Sequence, residues 1–173
     1  MYYFKSLERP ISNSELSEIE KKINVILPED YKEFLLKVNV GIPKEQYLSF
    51  FMDDLNEEVI LGTMLGISEN KNFSLTDWNS EYQMELPYDS FVFGTEYGGG
   101  LFVMIVSGED RGIYFWDHTF IFDQSSVDSN VYFLADNFTN FIEKLYISEP
   151  SKYKREILFM SDKFFESANV RLK

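Results

Sequence analysis

The stretch Ile26-Leu27-Pro28-Glu29-Asp30-Tyr31-Lys32-Glu33-Phe34-Leu35 constrains this chain more than any other. Leu27 precedes a proline, so its backbone avoids helical geometry and the chain runs extended there. Pro28 then reads as the first residue of a helix, where its missing N–H costs nothing. Glu29 and Asp30 fall in the first turn and complement the helix dipole. Tyr31, Phe34, Leu35 and Val38 recur at helical spacing and define one apolar face. Upstream, Ser12 and Glu15 form a Ser-x-x-Glu capping pattern. Leu16, Ile19, Glu20 and Ile23 continue it as a helix from about Ser14 to Asn24. The chain therefore opens as helix, extended link over Val25–Leu27, and second helix to about Asn39, which Gly41 and Pro43 end.

Beyond this opening the period changes. Residues 44–57 are ambiguous: Tyr47, Phe50 and Phe51 give way to Asp53 and Asp54. Val59-Ile60-Leu61-Gly62 reads as a strand that continues or bends at Gly62. Ser74 to Tyr82 reads as a short helix or structured loop, with Thr76 as its candidate cap, broken at Leu86-Pro87. Phe91–Gly94, Leu101–Val106 and Gly112–Trp116 are strand-like and joined by short connections, which implies an antiparallel meander. Phe120–Phe122 suggests a further short strand, and Tyr132–Leu134 is extended or enters a helix. Asp136–Tyr146 has helical period, with Phe138, Phe141, Ile142 and Leu145 on one face. Lys152–Lys173 shows helical patches with Ile157, Leu158, Phe159 and Phe164 apolar. Helices, then a meander, then helices spell an α+β layout with helices on one side of a mostly antiparallel sheet. No repeat or linker divides it, so residues 1–148 read as one domain and 149–173 as a helical extension packed on it.

Charge and composition narrow the function classes. The net charge of −13 argues against nucleic acid and against anionic membrane, both of which need Lys and Arg. It permits a basic partner steered by charge, although acidity also serves solubility alone. The chain has no cysteine, hence no disulfide, thiolate zinc site or cysteine nucleophile. Met1–Lys5 lacks a signal-peptide pattern and no apolar run reaches transmembrane length, so a cytoplasmic location is expected.

Several motifs then fall in a fixed order. Val92-Phe93-Gly94 followed by Gly98-Gly99-Gly100-Leu101-Phe102, Gly112-Ile113-Tyr114-Phe115-Trp116-Asp117-His118, and Ala135-Asp136-Asn137-Phe138-Thr139-Asn140-Phe141-Ile142 follow the helix–Leu-Pro–helix opening. Together, over residues 12–146, this set resembles the SUKH superfamily (Smi/Knr-like domains), whose bacterial members include toxin-immunity proteins and whose fungal members regulate cell-wall synthesis. Two departures stand out: Asn39-Val40-Gly41 replaces the family's Asn-Gly-Gly, and the chain extends past Ser148. The resemblance implies a single α+β domain, a twisted, mostly antiparallel sheet packed against N- and C-terminal helices. It implies an immunity protein that neutralises a cognate polymorphic toxin, most commonly a nuclease, by stoichiometric occlusion, without catalysis or cofactor. The alternative it implies is a regulatory scaffold or peptide-binding module. A monomer or weak dimer is expected.

Each candidate site has a plain structural alternative. Gly98–Gly100 resembles a phosphate cradle, but no Gly-Lys-Ser/Thr follows, and a tight strand connection at Gly99 and Gly100 is the better reading. Asp117, His118 and Asp123 suggest a metal site or an acid–base pair; a structural hydrogen bond at a strand end serves as well. No Gly-x-Ser-x-Gly elbow exists, so no catalytic residue or metal ligand is assigned. The adjacent pairs Asp53-Asp54 and Glu57-Glu58 lack any evident glycosidase geometry. The segment from Asp53 to Asp89 is the most acidic, opposed only by Lys71. Asp53, Asp54, Glu57, Glu58, Asp77, Trp78, Glu81 and Glu85 are therefore the expected partner-binding residues, with a solvated face as the alternative. Trp78 would equally close the edge of the core. Pro28, Tyr31, Phe34, Gly99, Gly100, Trp116, Phe138 and Phe141 are expected to be structural, Trp116 within the core.

Overall fold

A computed structural model describes residues 3–149. The extension expected over 149–173 lies, Glu149 excepted, outside the described residues. Helix α1 (Asn13–Ile23) starts at Ser12 with the full capping box, Ser12 and Glu15 exchanging side-chain and backbone bonds. It ends at Asn24 in the left-handed region (φ 56°). Helix α2 (Glu29–Lys37) follows. Pro28 is not its first residue but its N-cap, with ψ at 147° and its carbonyl accepting from Lys32 N–H at 2.9 Å. Proline's fixed φ suits both positions; the extended ψ decides between them. The hinge is tied from both helices: Glu20 accepts from Leu27 N–H (2.9 Å) and pairs with Lys32 (3.1 Å). The helix stops short of Asn39, which sits at φ 61°. Its buried amide accepts from Ile67 N–H and donates to the carbonyls of Arg9 and Ile67.

The strands are β1 (Phe4–Ser6), β2 (Gly41–Pro43), β3 (Leu48–Met52), β4 (Glu57–Met64), β5 (Ser90–Glu96), β6 (Leu101–Ile105), β7 (Gly112–Trp116), β8 (Val131–Ala135) and β9 (Tyr146–Ile147). They form one sheet in the order β1-β2-β4-β5-β6-β7-β8, with β3 pairing the first half of β4 and β9 pairing β3. All named pairs are antiparallel. The meander is present, with β3, β9 and the first two strands added to it. The fold is therefore α+β in a single domain.

Helices α2 and α4 (Phe138–Glu143) share one face of this sheet. Tyr31 and Phe34 of α2 meet Phe138 of α4 at 5.0 and 5.3 Å between ring centroids, and Phe93, Phe102 and Phe141 complete the cluster. Tyr31 hands its hydroxyl to the Leu65 carbonyl, so complete burial leaves no polar group orphaned. Helix α3 (Leu75–Glu81) lies beside β5 and α1. Its cap is Ser74, not Thr76: the Ser74 hydroxyl accepts from Asp77 N–H.

Two further expectations change. Asp136–Tyr146 is helical only over Phe138–Glu143, because Asn137 caps the start and Tyr146 turns into β9. Phe120–Phe122 forms no strand: Phe120 has φ 55°, and Asp117 draws the N–H groups of Ile121 and Phe122 into a turn. Among the described residues no helix is long and apolar enough to cross a membrane.

Candidate functional site

Along β6 and β7 successive side chains point to opposite faces. Phe102 and Phe115 point to the helices. Val103, Ile105, Tyr114 and Trp116 point away from them and, with Val131 of β8, floor a groove of about 630 Å³. One wall is Tyr82, Glu85, Leu86 and Pro87, the exit of α3; the other is His118, Phe120, Val127 and Asn130, from the β7–β8 connection. Trp116 is thus half-buried and lines the open face rather than sitting inside the core, because its neighbour Phe115 takes the inward position.

The α3 wall is held by Asn79. Its amide accepts from Val92 N–H and donates to the Val92 and Leu75 carbonyls, all at 2.8 Å. This amide continues the hydrogen bonding of β5 where β4 has ended. The opposite wall is held by Asp117, wholly buried, which accepts from Ile121 N–H, Phe122 N–H and the Ser125 hydroxyl.

Between the walls runs an aromatic ladder. Trp78 stacks on Tyr82 at 6.0 Å, and Tyr82 stands edge-on to Trp116 at 5.5 Å and to His118 at 5.3 Å. The Tyr82 hydroxyl lies 3.1 Å from His118 Nε2, while His118 Nδ1 is buried and has no hydrogen-bond partner among the described residues. Burial, then the carboxylates of Glu81 and Glu85, push the Tyr82 phenol above its usual value, so it stays protonated and polar at neutral pH. The ladder offers flat apolar area with polar tips, the composition of protein-binding hot spots.

The eight expected partner-facing residues divide. Asp77 and Glu81 are exposed on α3, Trp78 stacks at the ladder's end, and Glu85 lines the groove. Asp53 and Asp54 are exposed at the tip of the β3–β4 hairpin. Glu57 and Glu58 are half-buried opposite Met52 and Phe51. Glu58 also bonds Tyr146, whose phenol is pushed up to about 12, by burial first and then by that carboxylate. Leu61 pairs with Glu96 at one end of β5, whereas Asn79 fixes α3 to Val92 toward the other. None of Asp53, Asp54, Glu57 and Glu58 is among the residues that line the groove.

The remaining candidates find other employment. Glu96 occupies the glycine turn itself, its carboxylate accepting the N–H groups of Gly98 and Gly100 where an external anion would sit. Gly99 has φ 112°, and a Cβ on Gly100 would lie 2.1 Å from the Phe115 ring. Asp117 is committed to its own loop, and among the described residues no group of three His, Asp or Glu side chains could hold a metal ion. Tyr82, Tyr114, Phe120 and Val131 escaped the sequence reading. Aromatic or aliphatic residues occupy both faces of β7, so alternation alone does not mark the open one.

The described fold agrees with comparison at the family level. The SMI1 / KNR4 family (SUKH-1) model matches residues 10–144. No curated protein matches the chain.

Proposed function

The chain belongs to the SMI1 / KNR4 family (SUKH-1), and from that premise we propose that it is a non-catalytic immunity protein that binds and neutralises a cognate toxin in the cytoplasm of the cell producing both. The observation that carries this reading is the open aromatic groove with Glu85 in its lining and Asp77 and Glu81 exposed on the adjoining α3. Tyr82, Trp116 and Trp78 supply rigid anchor area, and Asp77, Glu81 and Glu85 pair with Lys or Arg of the toxin. A nuclease-type toxin presents such a basic surface around its phosphate-binding cleft, and occupying that surface stops substrate entry without chemistry. Asp53 and Asp54, which do not line the groove, act by steering the encounter rather than by contact.

A groove of this size also favours a second reading, a regulatory module that takes one extended or helical segment of a partner. Co-expression with the toxin encoded by the neighbouring gene separates the two. Protection and a stoichiometric complex support immunity; a complex with no protection, or neither, removes it.

A further inference from the structure

The sheet ends at β8, with no strand beyond it among the described residues. Asp117 N–H meets the Asn130 carbonyl, and the same register sets Phe115 opposite Tyr132. Antiparallel alternation therefore turns the backbone groups of Tyr132 toward β7 and those of Val131 and Phe133 toward the open edge. The edge is closed on either side of this pair. Upstream, Ser126 and Ser129 bond each other; downstream, the Lys144 ammonium donates to the Leu134 carbonyl at 2.7 Å. Sheets usually blunt a free edge with charge, proline or a bulge. The Val-Tyr-Phe run at 131–133 has no charge or proline, and the register shift between β7 and β8 falls past it. The side chains are open as well: Val131 is 55% and Phe133 47% exposed, with Tyr132 buried between them. Both stand on the groove face, opposite Trp116 and Tyr114. On this side the groove has no wall, since its other lining comes from the exit of α3, from β6 and β7, and from the β7–β8 connection.

We propose that an extended segment of the toxin adds to β8 as a further strand, hydrogen-bonded to the edge groups of Val131 and Phe133, apolar where it lies beside them and basic around that point. The inference rests on the reading of this chain as a toxin-binding protein and adds the form in which the toxin arrives. A strand returns N–H and carbonyl groups at the spacing this edge presents. Its side chains beside Phe133 and Val131 extend the cross-strand rows Val103–Tyr114–Phe133 and Trp116–Val131 by one place. They supply the wall that the groove lacks, and β-branched or aromatic residues pack best there. Charge selects the toxin over a second copy of this chain. The groove lining holds Glu85 and no Lys or Arg. The fields of Glu81 and Glu85 add to burial in raising the Tyr82 phenol, so the groove is negative. A second copy would bring the same acidic groove and another net charge of −13, which opposes the pairing, whereas a basic segment is drawn in.

Amide hydrogen exchange of the full chain, free and in complex with the toxin encoded by the neighbouring gene, tests this. In the free chain the Val131 and Phe133 amides should exchange freely while the Tyr132 amide, turned to β7, is protected. In the complex both should join Tyr132 among the slow amides. A second measurement compares toxin affinity of Val131→Pro and Val131→Ala. Proline is tolerated at the first position of a strand, and it removes one edge N–H that alanine keeps. Val131→Pro should bind about three- to tenfold more weakly than Val131→Ala. A complex in which Val131 and Phe133 exchange as in the free chain overturns the proposal and leaves the immunity reading standing, because the complex has formed. Equal affinity of the two variants overturns it as well. Slow exchange in the free chain means that the edge is already covered, by a second copy if it depends on concentration and by this chain if not, and either result overturns the proposal. Failure to form any complex removes the immunity reading and this inference with it.

Discussion

Replacing Asn79 by alanine tests how the groove wall is built. The Asn79 amide makes three hydrogen bonds of 2.8 Å and is 7% exposed. Two of them satisfy the N–H and carbonyl of Val92, a residue with no exposed surface. Truncation leaves both backbone groups without a side-chain partner at a site closed to water, at about 1–3 kcal/mol each. The Leu75 carbonyl stays at the start of α3 and loses less. The expected loss is therefore about 2–6 kcal/mol, a large part of the roughly 5–15 kcal/mol that holds a domain together. At about 2–4 °C per kcal/mol for a chain of this size, the melting point should fall by roughly 10 °C. Urea unfolding at neutral pH measures the difference as a lower midpoint with unchanged slope. Asn79→Asp sharpens the test. It keeps the acceptor for Val92 N–H but sets a second acceptor against the Val92 and Leu75 carbonyls, so it should be worse than alanine at pH 7 and recover as the carboxyl is protonated. A loss below about 1 kcal/mol for alanine would show that packing alone, not this amide, registers α3 on β5.

Other consequences follow from the glycine turn and the hairpin. Burial outweighs the glycine N–H groups and pushes the Glu96 carboxyl up to about 7. Its contribution is therefore full below about pH 4.5, where folded and unfolded chains are both protonated, and is lost as pH rises to about 7, by about 3 kcal/mol at about 1.4 kcal/mol per unit. Thermal unfolding of Glu96→Gln from pH 4 to 8 should show a correspondingly flatter fall in Tm than the parent; parallel curves would contradict the assignment. Gly100→Ala drives a methyl into the Phe115 ring, which Phe102 and Phe122 hold at 5.6 and 6.0 Å. Overpacking of this kind costs about 1–3 kcal/mol, read by the same urea titration; an unchanged midpoint would mean that the turn re-forms freely. Asp53→Lys with Asp54→Lys should slow toxin association at low salt and leave dissociation unchanged, as stopped-flow mixing would show; a faster off-rate would place the hairpin in the contact itself.

Which parts of this molecule its sequence exposes depends on range. The capping box at Ser12 and Glu15 is a contract between residues three apart, and it forms as spelled. The Leu-Pro break is equally local, yet the position of Pro28 differs by one residue, because the choice rests on ψ, which the ring does not fix. β3 is hard to read because Leu48, Ser49, Phe50 and Met52 are all buried, so the strand shows no alternation except at Phe51. β9 is shorter still and continues the apolar pattern of α4. The groove is the least legible part. Tyr114 and Trp116 differ from Ile113 and Phe115 only in which face α2 and α4 cover, and that is decided by residues near both ends of the chain. Asn79 and Asn39 carry no local mark; their roles exist only once Val92 and Ile67 arrive beside them.

The central claim is that the partner sits on the aromatic ladder. Calorimetric titration of the cognate toxin into the parent chain and into Trp116→Ala, with circular dichroism confirming that the variant is folded, tests it most directly. Removing a buried anchor of this size should cost about 2 kcal/mol or more, a weakening of Kd by about 30-fold or more at about 1.4 kcal/mol per tenfold. A Kd within about threefold of the parent's, under about 0.7 kcal/mol, would contradict the groove as the binding face.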